Sequence, residues 1–196
     1  RDVEAKVRQV LAESLKNTHN LPEDIVQSVI KDTDAVAVPF IKYYADLNAE
    51  DLIKILDIPS INKQKAVAQR LNLPNEISEY IVERCPEEVV GVLISNETAN
   101  IHEKTYNTIV EKYRQSEDIK KRLVYRTELP TSVIEKIANS LSEDLKRRLI
   151  LSHNLPADLA TDIIEEVKEK TTLRISEDYS SDKQIEELVH QLYTSN

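Results

Sequence analysis

The residue types able to do chemistry are few, and their spacing works against it. Four histidines, His19, His102, His153 and His190, are scattered through the chain, and none shows the i, i+4 pairing of a helical metal site. His19 and His153 both open the tetrapeptide His-Asn-Leu-Pro, so they recur because a larger unit recurs. Cys85 is the single cysteine, which excludes an intramolecular disulfide and a cysteine-based zinc site. A thiol near a helix start can ionise easily, but Glu87 and Glu88 oppose a thiolate, and a small buried residue is the favoured reading. Paired carboxylates such as Glu87-Glu88 and Glu165-Glu166 point about 100° apart on a helix and read as solvated faces, not acid–base dyads. Gly91 is the only glycine, which excludes the Gly-rich loops that cradle phosphates. No catalytic residue, metal or cofactor is expected.

One basic stretch remains. The formal charge is −9, yet residues 116–156 carry 8 basic against 6 acidic side chains. On a helical wheel of about 100° per residue, Ile119, Leu123 and Val124 share the buried arc. Lys121 and Tyr125 point away from that arc, and Arg122 flanks it. Lys120 falls inside it and must extend its ammonium outward or pair with a carboxylate. In the following segment Arg147 takes the outward place, with Arg148 beside it and Leu151 replacing Tyr125. The segment KQKAVAQR sets Lys65 in register with Lys121 and Arg147, while Pro39 and Gly91 fall at that site elsewhere. A ladder of Lys65, Lys121 and Arg147, flanked by Arg122, Arg148 and Tyr125, suits an acidic peptide, a phosphate or an anionic headgroup. Salt bridging to Glu117, Asp118, Glu143 and Asp144, or solubility alone, accounts for the same pattern and is favoured. Tyr43, Tyr44 and Tyr125 fit either binding anchors or, more commonly, half-buried packing.

The elements that carry these residues repeat. Leu-Pro pairs stand at Leu21-Pro22, Leu73-Pro74, Leu129-Pro130 and Leu155-Pro156, with Leu47-Asn48 and Ile101-His102 between them, at steps of 26, 26, 28, 28 and 26 residues. Residues 116–130 and 142–156 are identical at 8 of 15 positions. A near-constant period marks a structure in which each unit buries its apolar face against its neighbours. Each unit reads as two helices. The first opens at the Leu-Pro, with proline at the first helical position, and the four leucines Leu21, Leu73, Leu129 and Leu155 are expected to be equivalent buried positions. The second starts at an acid or serine cap, namely Asp34, Ser116 or Ser142. Pro39 is tolerable if its helix starts near Ala35, since the first N–H groups lack partners anyway.

The segments LPEDIV (21–26), DTDAVAVPFI (32–41), LNAEDLIKIL (47–56) and AVAQRLNLPNEI (66–77) resemble HEAT-like helical repeats. More narrowly, Asp34–Ile41 followed by Leu47–Ile53 is similar to an uncharacterised bacterial family, a domain of unknown function. The Val67–Pro74 rhythm bears a looser likeness to leucine-rich repeat variant proteins. The resemblance spans roughly residues 5–170, implies a fold and carries no functional residue.

The expected fold is an all-α, right-handed α-solenoid of paired helices with about five to six repeats over residues 1–170. A polar linker at 171–182 and the start of a further helix at 183–196 follow it, and that helix is expected to continue in a longer protein. The expected function is a protein–protein interaction scaffold or adaptor without catalytic activity, its partner another protein such as one with an acidic segment. The alternatives are nucleic-acid or anionic-ligand binding through residues 116–156, which the net charge disfavours, and a non-catalytic module of a larger enzyme or signalling protein. No apolar run approaches the roughly 20 residues of a membrane span. The cytoplasm is the default location, with targeting segments free to lie outside a chain that starts at Arg1 and contains no Met.

Overall fold

The computed structural model describes residues 2–15, 17–153, 155 and 159–165. These residues are all-α. Eleven helices run along them: α1 (Asp2–Leu15), α2 (Glu23–Lys31), α3 (Asp34–Tyr43), α4 (Ala49–Leu56), α5 (Ile61–Ala68), α6 (Asn75–Arg84), α7 (Glu87–Ile94), α8 (Glu103–Lys112), α9 (Glu117–Tyr125), α10 (Thr131–Ala138) and α11 (Glu143–Ser152). Residues 159–165 are helical as well. The expected linker at 171–182 and helix at 183–196 lie outside the described residues. The chain divides into two compact units, Arg1–Val133 and Ile134–Asn196, a boundary inside the span that the sequence reads as one repeat array.

In the first unit the odd helices pack in series, α1 on α3, α3 on α5, α5 on α7 and α7 on α9. Even helices α4, α6 and α8 pack in a second series, and α2, α4 and α6 lie against α3, α5 and α7. The apolar positions explain this. Counting from each cap, the third and seventh residues of α3, α7 and α9 are Val36 and Phe40, Val89 and Leu93, and Ile119 and Leu123, all at most 2% exposed. Helices of eight to ten residues are too short to persist alone in water, so their stability comes from this burial.

The helix starts follow the period but differ by one residue from expectation. Pro22, Pro74 and Pro86 are the N-caps, in extended conformation, and not the first helical residues. Their carbonyls accept the first helical bonds, as Pro22 does from Ile25 and Val26 at 3.0 and 3.1 Å. Asn48 forms a full capping box with Asp51, and Ser116 accepts from the Ile119 N–H. Ser142 is an N-cap without a side-chain cap bond. Thr33, not Asp34, occupies the cap of α3. Pro39 therefore lies inside α3, beyond the first turn, and removes the N–H that would bond the Ala35 carbonyl. Ala35 is exposed. The same one-residue shift gives Val38, not Pro39, the place equivalent to Lys65.

Asn20 and Asn72, each just before a Leu-Pro, adopt positive φ of 57° and 51°. In a chain with one glycine, asparagine is the residue that tolerates this turn. The Asn20 N–H donates to Asp46 Oδ2 at 2.8 Å, and the Asn72 N–H to Thr98 Oγ1 at 3.2 Å. Each bond ties one Leu-Pro turn to the matching turn of the next repeat.

The leucine quartet is only partly equivalent. Leu73 is 1% exposed, whereas Leu21, Leu129 and Leu155 are half-buried. Leu73→Ala is expected to cost about 2–4 kcal/mol and Leu21→Ala about 1–2 kcal/mol. Urea unfolding of the two variants checks the order; equal losses would contradict it.

Candidate functional site

The place on the odd helices where a cation was expected is the fifth residue after the cap: Lys65 on α5, Gly91 on α7, Lys121 on α9 and Arg147 on α11. Lys65 is spent on structure. Its Nζ lies 2.7 Å from Glu88 Oε2 in the first turn of α7. Arg122 is likewise held, with Nε 2.6 Å from Asp118 Oδ2 and Nη1 2.9 Å from Ser95 Oγ. Its guanidinium lies across Gly91, where a Cβ would stand 3.0 Å from Nε. The glycine is thus the floor on which Arg122 rests. Lys120, read as misplaced in the apolar arc, is 8% exposed and reaches Glu117 Oε1 at 2.8 Å. Of the acids named by the salt-bridging alternative, Glu117 and Asp118 therefore act within α9, while Lys65 and Glu88 bridge α5 and α7.

Lys121 and Tyr125 do project from α9, Tyr125 at 54% exposure. They border a groove of about 390 Å³ whose walls include Ile94 at the end of α7 and Ser95 after it, and Asp118, Arg122 and Arg126 from α9 and its end. Arg147 and Arg148 are exposed on α11, in the second unit. Of the aligned tyrosines, Tyr43 is exposed, whereas Tyr44 is 2% exposed and stacked on Phe40 at 4.6 Å. Tyr44 is a packing residue and not an anchor.

Sequence reasoning missed a set of side chains that close helix ends. Arg126, 6% exposed, donates from Nη1 to the Ile94 and Asn96 carbonyls at 2.8 Å each and from Nη2 to the Ala99 carbonyl at 3.0 Å. Its guanidinium also lies over the Tyr106 ring at 5.7 Å. Asn96 Nδ2 donates in turn to the Ala68 and Arg70 carbonyls at 2.8 and 2.7 Å, and Arg70 Nη1 donates to the Ile41 carbonyl. Lysines serve the even layer. Buried Lys63 places its Nζ 2.9 and 2.8 Å from the Ile30 and Asp32 carbonyls at the end of α2, and Lys112 bonds the Val82 carbonyl at 2.7 Å near the end of α6. The available signal was a donor just past the last apolar residue of an odd helix, at Arg70, Asn96 and Arg126.

Two of the residues first weighed for chemistry have defined settings. Cys85 is 4% exposed, and burial, with Asp57 nearby, pushes its thiol up to about 11, so it stays protonated at neutral pH. His19 Nδ1 lies 3.4 Å from Asp46 Oδ1 at the surface. Among the described residues no group of three or more His, Cys, Asp or Glu is placed to hold a metal ion. Among them, too, no helix is long and apolar enough to cross a membrane.

Two outcomes follow from these contacts. Arg126→Lys keeps the charge but loses the fork that reaches three carbonyls, and is expected to cost on the order of 1–3 kcal/mol by thermal or urea unfolding. The second concerns Asp34, whose carboxylate accepts from Asn62 Nδ2 at 2.8 Å and Ser60 Oγ at 2.9 Å. The Asn62 bond chiefly, then Ser60 and the Lys63 charge, hold its pKa below the ordinary 3.8 against the opposing effect of burial. A depressed folded pKa adds stability that is complete above the ordinary value and is lost as pH falls through the folded one. Urea midpoints should therefore decline below about pH 4 less steeply in Asp34→Asn than in the parent chain. Identical slopes would remove Asp34 from the account.

No curated protein and no solved structure matches the chain. Residues 36–196 match the family described as "Uncharacterised protein conserved in bacteria (DUF2336)". The match begins within α3 and includes every helix from α4 onward, among them the α7–α9 groove and its Lys121 and Tyr125. The chain belongs to that family of bacterial proteins of unknown function.

Proposed function

We propose that this chain is a protein-interaction module, a right-handed α-solenoid of paired helices without chemistry of its own, and that it takes an acidic peptide segment along α9. The observation that carries the reading is the serial packing of short odd helices in the first unit, with the ends of α3, α5 and α7 tied by side chains of the unit that follows. Such stacks offer extended surfaces that vary without disturbing the core. Lys65 and Arg122 leave the original ladder because both are paired with carboxylates. Lys121 and Tyr125 are an exposed cation beside an exposed aromatic ring at the rim of a groove. An extended acidic segment meets both needs, charge for Lys121 and apolar contact for Tyr125.

Fluorescence anisotropy with labelled acidic peptides tests it. Binding should weaken as salt rises, because the charges are exposed. The double variant Lys121→Glu, Tyr125→Ala should lose roughly tenfold or more in affinity with helix content unchanged. Acidic peptides that bind the parent and the variant alike would sink the proposal. A salt-sensitive shift with oligonucleotides and none with peptides would replace it with the nucleic-acid reading.

A further inference from the structure

We infer that the cleft between α2 and α4 is a binding site for a phosphomonoester group. It shares no residue with the α9 groove, so it stands or falls independently of the reading above.

The first observation is an opening in the even layer. Helices α4, α6 and α8 pack in series, whereas α2 packs chiefly on α3. A cleft of about 470 Å³ lies at the C-terminal ends of α2 and α4, within the roughly 300–1,000 Å³ of small-molecule sites. Gln27, Ile30 and Lys31 line it from α2, Lys54 and Ile58 from α4 and its end, and Lys63 from α5. Three lysines therefore share one cleft in a chain of formal charge −9, and among the described residues no carboxylate lines it.

The second observation is register. The N-caps Pro22, Asn48 and Pro74 stand 26 residues apart. The same step takes Lys31 to Asp57 and Lys54 to Tyr80. In that later pair the Tyr80 hydroxyl donates to Asp57 Oδ1 at 2.6 Å and joins α6 to the end of α4. Between α2 and α4 the same two places hold like charges, which repel each other. An anion seated between them supplies the acceptor that Asp57 supplies in the next repeat.

The third observation is the state of the donors. Among the described residues Lys31 and Gln27 have no hydrogen-bond or ion-pair partner. Lys54 Nζ lies 2.8 Å from Glu50 Oε1, and the Glu50 side chain is 78% exposed. Such a surface pair is worth little and yields to a stronger anion. Lys63 Nζ spends two of its three N–H groups on the Ile30 and Asp32 carbonyls. Those bonds answer the negative end of the α2 dipole, which would otherwise repel an anion. The Asp32 carboxylate is engaged by Arg8 Nε at 2.8 Å. A phosphomonoester carries about −1.5 to −2 charge at neutral pH and three acceptor oxygens, a match for the three ammonium groups. A carboxylate, with one charge and two oxygens, leaves one of them unanswered. Ile30 and Ile58 meet the organic part of the ester.

Isothermal titration calorimetry of the whole chain at fixed ionic strength tests this, with phenyl phosphate as the probe and benzoate as the singly charged comparison. The expected result is saturable binding of phenyl phosphate, at least about fivefold tighter than benzoate. Lys31→Gln should weaken it by about fivefold or more with the melting temperature unchanged, since Lys31 is exposed. The double variant Lys31→Asp, Lys54→Tyr installs the residues of the next repeat and should abolish binding with helix content kept. Vesicles of phosphatidic acid in phosphatidylcholine separate two sources of such a group. Co-sedimentation that the double variant loses assigns it to a lipid headgroup, and phenyl phosphate binding without co-sedimentation assigns it to a soluble molecule. No saturable heat with phenyl phosphate, benzoate bound equally well, or variants that bind like the parent would each overturn the inference.

Discussion

The first unit depends on closing the carbonyl ends of its short odd helices. Every helix leaves its last carbonyls without an intrahelical partner, and in helices of eight to ten residues those groups are a large share of the backbone. Here three odd helices receive donors from the unit that follows. Arg70 closes α3, Asn96 closes α5 and Arg126 closes α7. The donors cross between neighbouring units, so the ends of α3, α5 and α7 are each completed by the next unit. Arg126 serves two ends of the connection after α7 at once, from Ile94 to Ala99. Its planar fork suits this role better than an ammonium would. The outcome is a chain of dependence along the stack, on top of the apolar burial that drives it.

The same demand governs the surface. Cations that look available on a wheel are drawn into closing and bridging helices. Lys63 and Lys112 lay their stems against the protein and place their ammonium groups on carbonyls at helix C-terminal ends, where the helix dipole favours positive charge. At the opposite ends, acidic first turns serve as acceptors for the neighbouring helix. Glu88 receives Lys65, Glu87 receives the Ser116 hydroxyl, and Asp34 receives Ser60 and Asn62. Helix α7 is held from both sides in this way. Lys121 and Tyr125 stand exposed on α9.

Gly91 shows how one residue links the two levels. Its helix position matches that of Lys65 and Lys121, yet it bears no side chain. The vacant space takes the Arg122 guanidinium, which bonds Ser95 and Asp118 there. A position read as a gap in a cationic ladder is the contact that locks α9 onto α7.

The sequence by itself determined the period, the helix pairing and the class of fold. Those follow from local chemistry: Leu-Pro turns, serine and asparagine caps, and apolar residues at helical spacing. It also marked Lys120 as a lysine in an apolar arc and Lys121 and Tyr125 as outward-facing, because a wheel needs only the helix. The segments Asp34–Ile41 and Leu47–Ile53 carried the resemblance to the bacterial family that the family match then showed. Tertiary structure alone decided what each cation does. Lys65 and Lys121 hold the same helical position, but Glu88 stands within reach of the first, and no wheel can place a side chain from another helix. The closing bonds of Arg70, Asn96 and Arg126 span 26 to 32 residues, as do the bonds from Asn20 and Asn72 at 26 residues each. Such contacts depend on how one helix lies on the next, which the periodicity of a single helix does not contain.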